Sequence, residues 1–190
     1  MTISSNAMKR RAFLRVWAAG IALAACGSSV QSGGAKTGGT ATATPTPSPK
    51  AATKATVELV KGGSFSFTLR LDKAPQTVER FATKARDGFY NNLTFHRVED
   101  WVVQGGDPLG TGTGGGKVPS EYNDLPFKTG AVGIARGADP KINNDSQWFI
   151  VKKDSDFLNG QYTNFGQLVT GLDVINGIKI GDRIKTITIE

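Results

Sequence analysis

Apolar runs at residues 95–98, 101–104, 132–135, 148–151, 166–169 and 184–189 are each cut short by glycine-rich or proline-containing turns, in a chain that holds 24 glycines. Runs of that length suit strands better than helices, and many short strands separated by turns favour a barrel or a sandwich. Upstream, residues 57–60 and 65–71 alternate apolar with polar side chains around Lys61, Gly62, Gly63 and Ser64, the pattern of a half-buried antiparallel hairpin. Phe65, Phe67, Leu69 and Leu71 are predicted to face the core. Between these β patterns, Pro75 opens a helical spacing of Val78, Phe81, Ala82 and Ala85, with Gly88 as its stop. Leu172, Val174, Ile175 and Ile178 predict a second short helix, which Gly171 and Gly177 limit.

The first 54 residues read differently. Lys9, Arg10, Arg11 and Arg15 precede a short apolar run at residues 16–25 that ends in small residues before Cys26, the only cysteine. This is the pattern of an export signal, too short to span a bilayer. The ending LAAC resembles a bacterial lipobox, which would make Cys26 a lipidated mature N-terminus and a membrane anchor. A solitary thiol excludes an intrachain disulfide framework. Residues 9–15 also resemble a twin-arginine signal, and they fit an ordinary signal equally well. Met8 stands as an alternative start to Met1. Residues 26–54 are rich in Gly, Ser, Thr, Ala and Pro, a composition that buries too little apolar surface to order itself and so predicts a tether. The domain is therefore expected over residues 55–190, outside the cytoplasm and anchored to the bacterial cell membrane.

The net charge of +7 belongs to that N-terminal part, where seven of the 23 Lys and Arg lie, leaving 16 against all 16 Asp and Glu in the rest. A formally neutral domain lacks the basic face that phosphate neutralisation requires, so no nucleic-acid partner is expected.

Residues 95–107, FHRVEDWVVQGGD, concentrate an arginine, a large aromatic, a glutamine and paired glycines. Arg97 offers fixed N–H donors, Trp101 and Val102 can wall an apolar pocket, and Gln104 can donate and accept. The runs SQWFI at 146–150 and FLNGQY at 157–162 have the same amide-and-aromatic character, so three segments can form one groove that grips a peptide. These motifs, with KAPQTV at 73–78, GFY at 88–90, LTFHRV at 93–98, QGGDP at 104–108, GAVGIAR at 130–136 and FG at 165–166, resemble in order the cyclophilin family of peptidyl-prolyl cis–trans isomerases. The resemblance implies an all-β fold, a closed eight-stranded antiparallel barrel capped by two helices. It also implies a monomer acting on proline-containing polypeptides without a cofactor.

Carried over residue by residue, the resemblance makes Arg97 catalytic. Trp101, Val102, Phe149, Leu158 and Tyr162 would line the proline pocket, with Phe157 beside them. Gln104 and Gln147 would bind substrate backbone, and Ala135, Arg136 and Gly137 would flank the preceding residue. Phe157 and Tyr162 are bacterial-type substitutions for tryptophan and histidine; the first bears on tight cyclosporin binding, not on isomerisation. The segment between Val98 and Trp101 is a residue shorter than usual, residues 138–145 are longer, and Arg136 stands where asparagine is common.

Other chemistries fit poorly. His96 is the only histidine, so neither a histidine cluster nor a zinc set is available. A Ser-His-Asp hydrolase would need a nucleophile elbow, which is missing; alternation points His96 away from Arg97 and predicts a structural hydrogen bond for it. Gly110, Gly112 and Gly115 satisfy G-x-G-x-x-G, but Pro119 and the lack of helical periodicity after them point to a flexible loop beside the groove rather than a phosphate cradle. Two non-enzymatic readings stay open: a peptide-binding or chaperone module on the same barrel, and an extracellular adhesion or scaffold protein.

Overall fold

A computed structural model describes residues 52–190. The export signal, Cys26 and nearly all of the tether lie outside the described residues. The fold begins slightly before residue 55: Ala52 is buried, the Thr53 N–H donates to the Glu190 carbonyl at 2.8 Å, and the first strand starts at Lys54.

Among the described residues, nine strands, two α-helices and a short 3-10 turn at Asp156–Leu158 follow one another. The strands are β1 (Lys54–Leu59), β2 (Ser64–Leu69), β3 (Arg97–Val98), β4 (Val102–Gly105), β5 (Lys117–Pro119), β6 (Ala131–Arg136), β7 (Ile142–Val151), β8 (Asn164–Thr170) and β9 (Ile184–Ile189). Helix α1 (Pro75–Arg86) separates β2 from β3, and α2 (Leu172–Asn176) separates β8 from β9. Every strand pairing is antiparallel, in the order β3-β4-β7-β6-β8-β2-β1-β9, with β5 added to the far end of β7. The expected closed barrel is therefore corrected: β3 and β9 do not pair. They approach only through an isolated bridge between Thr94 and Arg183 and neighbouring backbone bonds such as Phe95 N–H to Asp182 O at 2.9 Å. These contacts fall on residues 92–95, before β3 begins at Arg97, so no ladder joins β3 to β9.

The hairpin β1–β2 forms as its alternation predicts, turning through Gly62 and Gly63, both in the left-handed region. Phe65, Phe67 and Leu69 are buried and Leu71 packs against the core. Helix α1 buries Val78, Phe81, Ala82 and Ala85. Its N-terminus has no cap from its own segment; the Glu121 carboxylate accepts from the Gln76 and Thr77 N–H groups at 3.0 and 2.8 Å, satisfying donors a helix start leaves open. Helix α2 is a single short turn of helix that contributes buried Ile175.

The apolar parts of β4, β6 and the second half of β7 face both ways, and period-two alternation explains why. Val103, Val132, Ile134, Trp148 and Ile150 point into the main core, where Trp148 is fully buried with the Phe65, Phe67, Phe81 and Phe95 rings at 5.9–6.4 Å between centroids. Val102, Ala131, Phe149 and Val151 point the other way, into a second cluster with Phe127 and Leu158. That second face carries the candidate site.

Candidate active site

Register assembles the site before any side chain is considered. Arg97 on β3 lies opposite Gln104 on β4, Gln104 opposite Phe149 on β7, and Phe149 opposite Gly133 on β6. Directly opposed residues share a face and touch, so this cross-strand row sets a guanidinium, an amide and a phenyl ring side by side. Gly133 completes the row by having no side chain. A Cβ there would overlap the Phe149 ring and stand 2.8 Å from Phe127 Cε1. Phe149 therefore lies flat over the strand, stacked on Phe127 at 5.7 Å and 20° and edge-on to Tyr162 at 5.8 Å.

A groove of about 630 Å³ runs over this row. Its walls include Arg97, Trp101, Val102, Gln104, Ala135, Arg136, Phe149, Phe157, Leu158 and Tyr162, ten of the residues singled out from the sequence. Val102, Phe149 and Leu158 form its buried floor, while Phe157 is two-thirds exposed and meets Trp101 edge-on at 5.3 Å. Two residues take other places. Gly137 lines a neighbouring hollow with Asn143 and Asn144, and its carbonyl accepts from Arg136 Nη1 at 3.0 Å. Gln147 is buried behind the wall, its Oε1 accepting from Gln104 Nε2 at 3.0 Å and its Nε2 donating to the Gly114 carbonyl at 2.8 Å. Its amide is thus engaged on both sides, which fixes the orientation of Gln104.

Arg97 is held on several sides. Nε donates to Glu99 at 2.7 Å, Nη1 donates to Gln104 Oε1 at 3.3 Å, and the guanidinium lies over the Trp101 ring at 5.3 Å. These bonds occupy two of the five donors a guanidinium carries. Glu99 also accepts from Trp101 Nε1 at 2.8 Å, and the Arg97 and Trp101 bonds hold its carboxyl below the usual carboxylate range. Sequence reasoning passed over Glu99, because an acidic side chain in a turn reads as a solvated one.

Thr111, Gly112 and His96 complete the groove wall. The glycine-rich loop leads into strand β5, not a helix, so the phosphate-cradle context is missing. Expected to be flexible, it is tied down by Asp107, which is buried and accepts from the Leu109 and Thr111 N–H groups at 3.0 and 2.8 Å and from that of Gly112. Burial pushes the Asp107 carboxyl up, but the backbone bonds outweigh it and leave it below its ordinary value. The structural hydrogen bond expected for His96 is not made: both ring nitrogens are buried without a partner, and burial lowers the imidazole pKa against the opposing pull of Asp107. No serine hydroxyl is bonded to that imidazole. Among the described residues no group of His, Cys, Asp and Glu is arranged to hold a metal ion. The groove itself offers hydrogen-bond donors and acceptors beside an apolar floor.

Residues 54–190 match the family model described as cyclophilin-type peptidyl-prolyl cis-trans isomerase. The chain belongs to the cyclophilin family. Peptidyl-prolyl cis-trans isomerase B of Bacillus subtilis is 39% identical over 137 residues, covering 70% of this cyclophilin and 94% of that protein. A peptidyl-prolyl cis-trans isomerase of Synechococcus elongatus is 40% identical over 146 residues, covering 72% of this chain and 96% of its own. Among solved structures, a Cryptosporidium parvum cyclophilin-type isomerase crystallised in the presence of the dipeptide Ala-Pro is 28% identical, with a TM-score of 0.66 over 72% of this chain and 98% of that one.

Proposed function

We propose that this cyclophilin accelerates rotation about X-Pro peptide bonds in exported proteins, with Arg97 stabilising the twisted amide. Rotation must break amide resonance across a barrier of ~18–20 kcal/mol, which makes the uncatalysed step take roughly tens to hundreds of seconds. As the C–N bond twists, the proline nitrogen regains its lone pair and becomes a hydrogen-bond acceptor. A guanidinium held beside it favours that geometry over either planar ground state, and only such differential binding lowers a barrier. Reaching milliseconds requires about 10⁴-fold, or ~5–6 kcal/mol, a magnitude within reach of a charge-assisted donor and positioning in an apolar groove.

The observation that carries this reading is the fixed Arg97 guanidinium standing in one cross-strand row with Gln104 and Phe149. Val102, Phe149, Leu158 and Tyr162 would enclose the proline ring, Trp101 and Phe157 the rim, and Gln104 the substrate backbone. Ala135 and Arg136 would flank the residue before proline. Gln147 and Gly137 act from behind and beside the groove. Lipidation of Cys26 and the tether that precedes residue 52 would hold the domain at the outer face of the cell membrane, where exported chains emerge; the motif LAAC supports this. The test is the rate of cis-to-trans conversion of an X-Pro tetrapeptide with and without the full chain. An accelerated, saturable rate is expected. Peptide binding without acceleration would leave only a peptide-binding module.

A further inference from the structure

Three side chains at alternate positions, Arg97, Glu99 and Trp101, form a closed triangle at the rim of the groove. Glu99 Oε1 accepts from Arg97 Nε at 2.7 Å, Glu99 Oε2 accepts from Trp101 Nε1 at 2.8 Å, and the Arg97 guanidinium rests over the Trp101 ring at 5.3 Å. The two carboxylate oxygens thus serve different partners. The three stand at the end of β3 and in the turn that joins it to β4. The turn that bears them is itself pinned by the Glu99 N–H donating to the Val102 carbonyl at 2.9 Å. On the far side of the guanidinium, Gln104 accepts from Nη1 and is in turn anchored through Gln147 to the Gly114 carbonyl. Arg97 is therefore gripped at Nε by a carboxylate and at Nη1 by an amide whose own orientation is fixed.

We infer that Glu99 is a positioning residue for isomerisation, acting through Arg97 and, by the same carboxylate, setting the indole of Trp101 as a groove wall; this rests on the reading of Arg97 as the group that meets the twisted amide. The exposure of the pair decides what it is for. The Arg97 and Glu99 side chains are 43% and 44% exposed, and an ion pair so hydrated adds little to folding stability. Its effect lies in geometry. A free arginine side chain samples many rotamers, whereas a hydrogen bond to a transient lone pair requires one orientation, held in advance. Charge is not the reason for the pairing, because a carboxylate at 2.7 Å weakens the positive field of the guanidinium. Orientation is what the carboxylate supplies. Neighbouring charges leave the triangle intact: Asp100 is drawn away to Lys153 at 2.9 Å.

The test is a double-mutant cycle in the full chain, with kcat and KM measured on an X-Pro tetrapeptide for the wild type, Glu99→Gln, Arg97→Ala and the double variant. Glutamine keeps the size of Glu99 but can accept from only one of the two donors, since its other terminal atom is itself a donor. Glu99→Gln should lower kcat by about three- to tenfold, between the worth of an exposed ion pair and that of a charge-assisted hydrogen bond, with KM nearly unchanged. In the Arg97→Ala background the same change should leave kcat nearly unchanged, because the route through Arg97 is gone and what remains, the Trp101 wall, bears on KM. An unchanged kcat in Glu99→Gln, beside a slow Arg97→Ala, overturns the inference and leaves Arg97 in its role. Equal losses with and without Arg97 also overturn it, by showing that Glu99 acts on something else. A wild-type rate in Arg97→Ala overturns the reading of Arg97 and this inference with it. Unfolding midpoints for all four proteins identify any loss of rate that comes from misfolding, and a drop in the midpoint of Glu99→Gln that accounts for its lost rate counts against the positioning role.

Discussion

Gly133→Ala is the smallest change that should both destabilise the fold and damage the groove. The residue lies in ordinary strand conformation, so alanine meets no backbone penalty, and its effect is confined to one methyl. That methyl would occupy space already filled by the Phe149 ring and would stand 2.8 Å from Phe127 Cε1, closer than carbon atoms tolerate. Away from the groove neither ring has room to retreat: the two are stacked at 5.7 Å, Phe149 meets Tyr162 edge-on, and Phe127 is fully buried. Overpacking of this kind costs about 1–3 kcal/mol. The easier way out is for Phe149 to lift into the groove, where a displacement near 1 Å can cost about 10²-fold in rate. Urea unfolding and kcat/KM on an X-Pro peptide measure the two effects on one protein. Adding Phe149→Leu to Gly133→Ala should restore part of the stability, by relieving the overlap, without restoring the rate. If Gly133→Ala matched the wild type in both midpoint and kcat/KM, the claim that the ring lies flat because position 133 is empty would be refuted.

Three further outcomes follow from single contacts. Asp107→Ala should cost about 1 kcal/mol by removing the buried carboxylate that ties down backbone N–H groups of an exposed loop, and should raise KM because that loop carries Thr111 and Gly112 into the groove wall; urea titration and Michaelis kinetics check both. His96 has a folded-state pKa below its ordinary 6.5, so just below that pH the unfolded chain binds more protons than the folded one. Stability should thus be complete at neutral pH, fall as pH drops through that window, and lose this limb in His96→Gln, as read from urea midpoints between about pH 7.5 and 5. Glu121→Ala removes the acceptor for the first N–H groups of α1 and should cost about 1 kcal/mol by thermal or urea unfolding, with kcat/KM unchanged because α1 takes no part in the groove.

What the sequence reveals and what it hides divide along the range of the interaction. The β1–β2 hairpin and α1 are legible because period two and Pro75 with a 3.6-residue period are local signals. The groove is legible because arginine, amides and aromatics stand in compact, ordered motifs. Strand β7 runs back to Ile142, well before the apolar run at 148, because its first half is polar and is held by pairing with β5, whose Pro119 argues against a strand. The cap on α1 comes from Glu121, 45 residues beyond Gln76, so no local pattern marks it. Gly133 sits unremarked in an apolar run, and only the ring laid across it explains the missing side chain. Whether the sheet closes depends on two strand ends meeting in space, which composition and alternation do not encode.

The central claim is tested most directly by kcat/KM for Arg97→Ala on an X-Pro peptide whose affinity is measured in parallel. The account predicts a loss of about 10²–10³-fold, the usual cost of removing one transition-state donor, with the dissociation constant changed only by about a factor of a few. A variant that binds the peptide and turns it over within about threefold of the wild-type rate would contradict it.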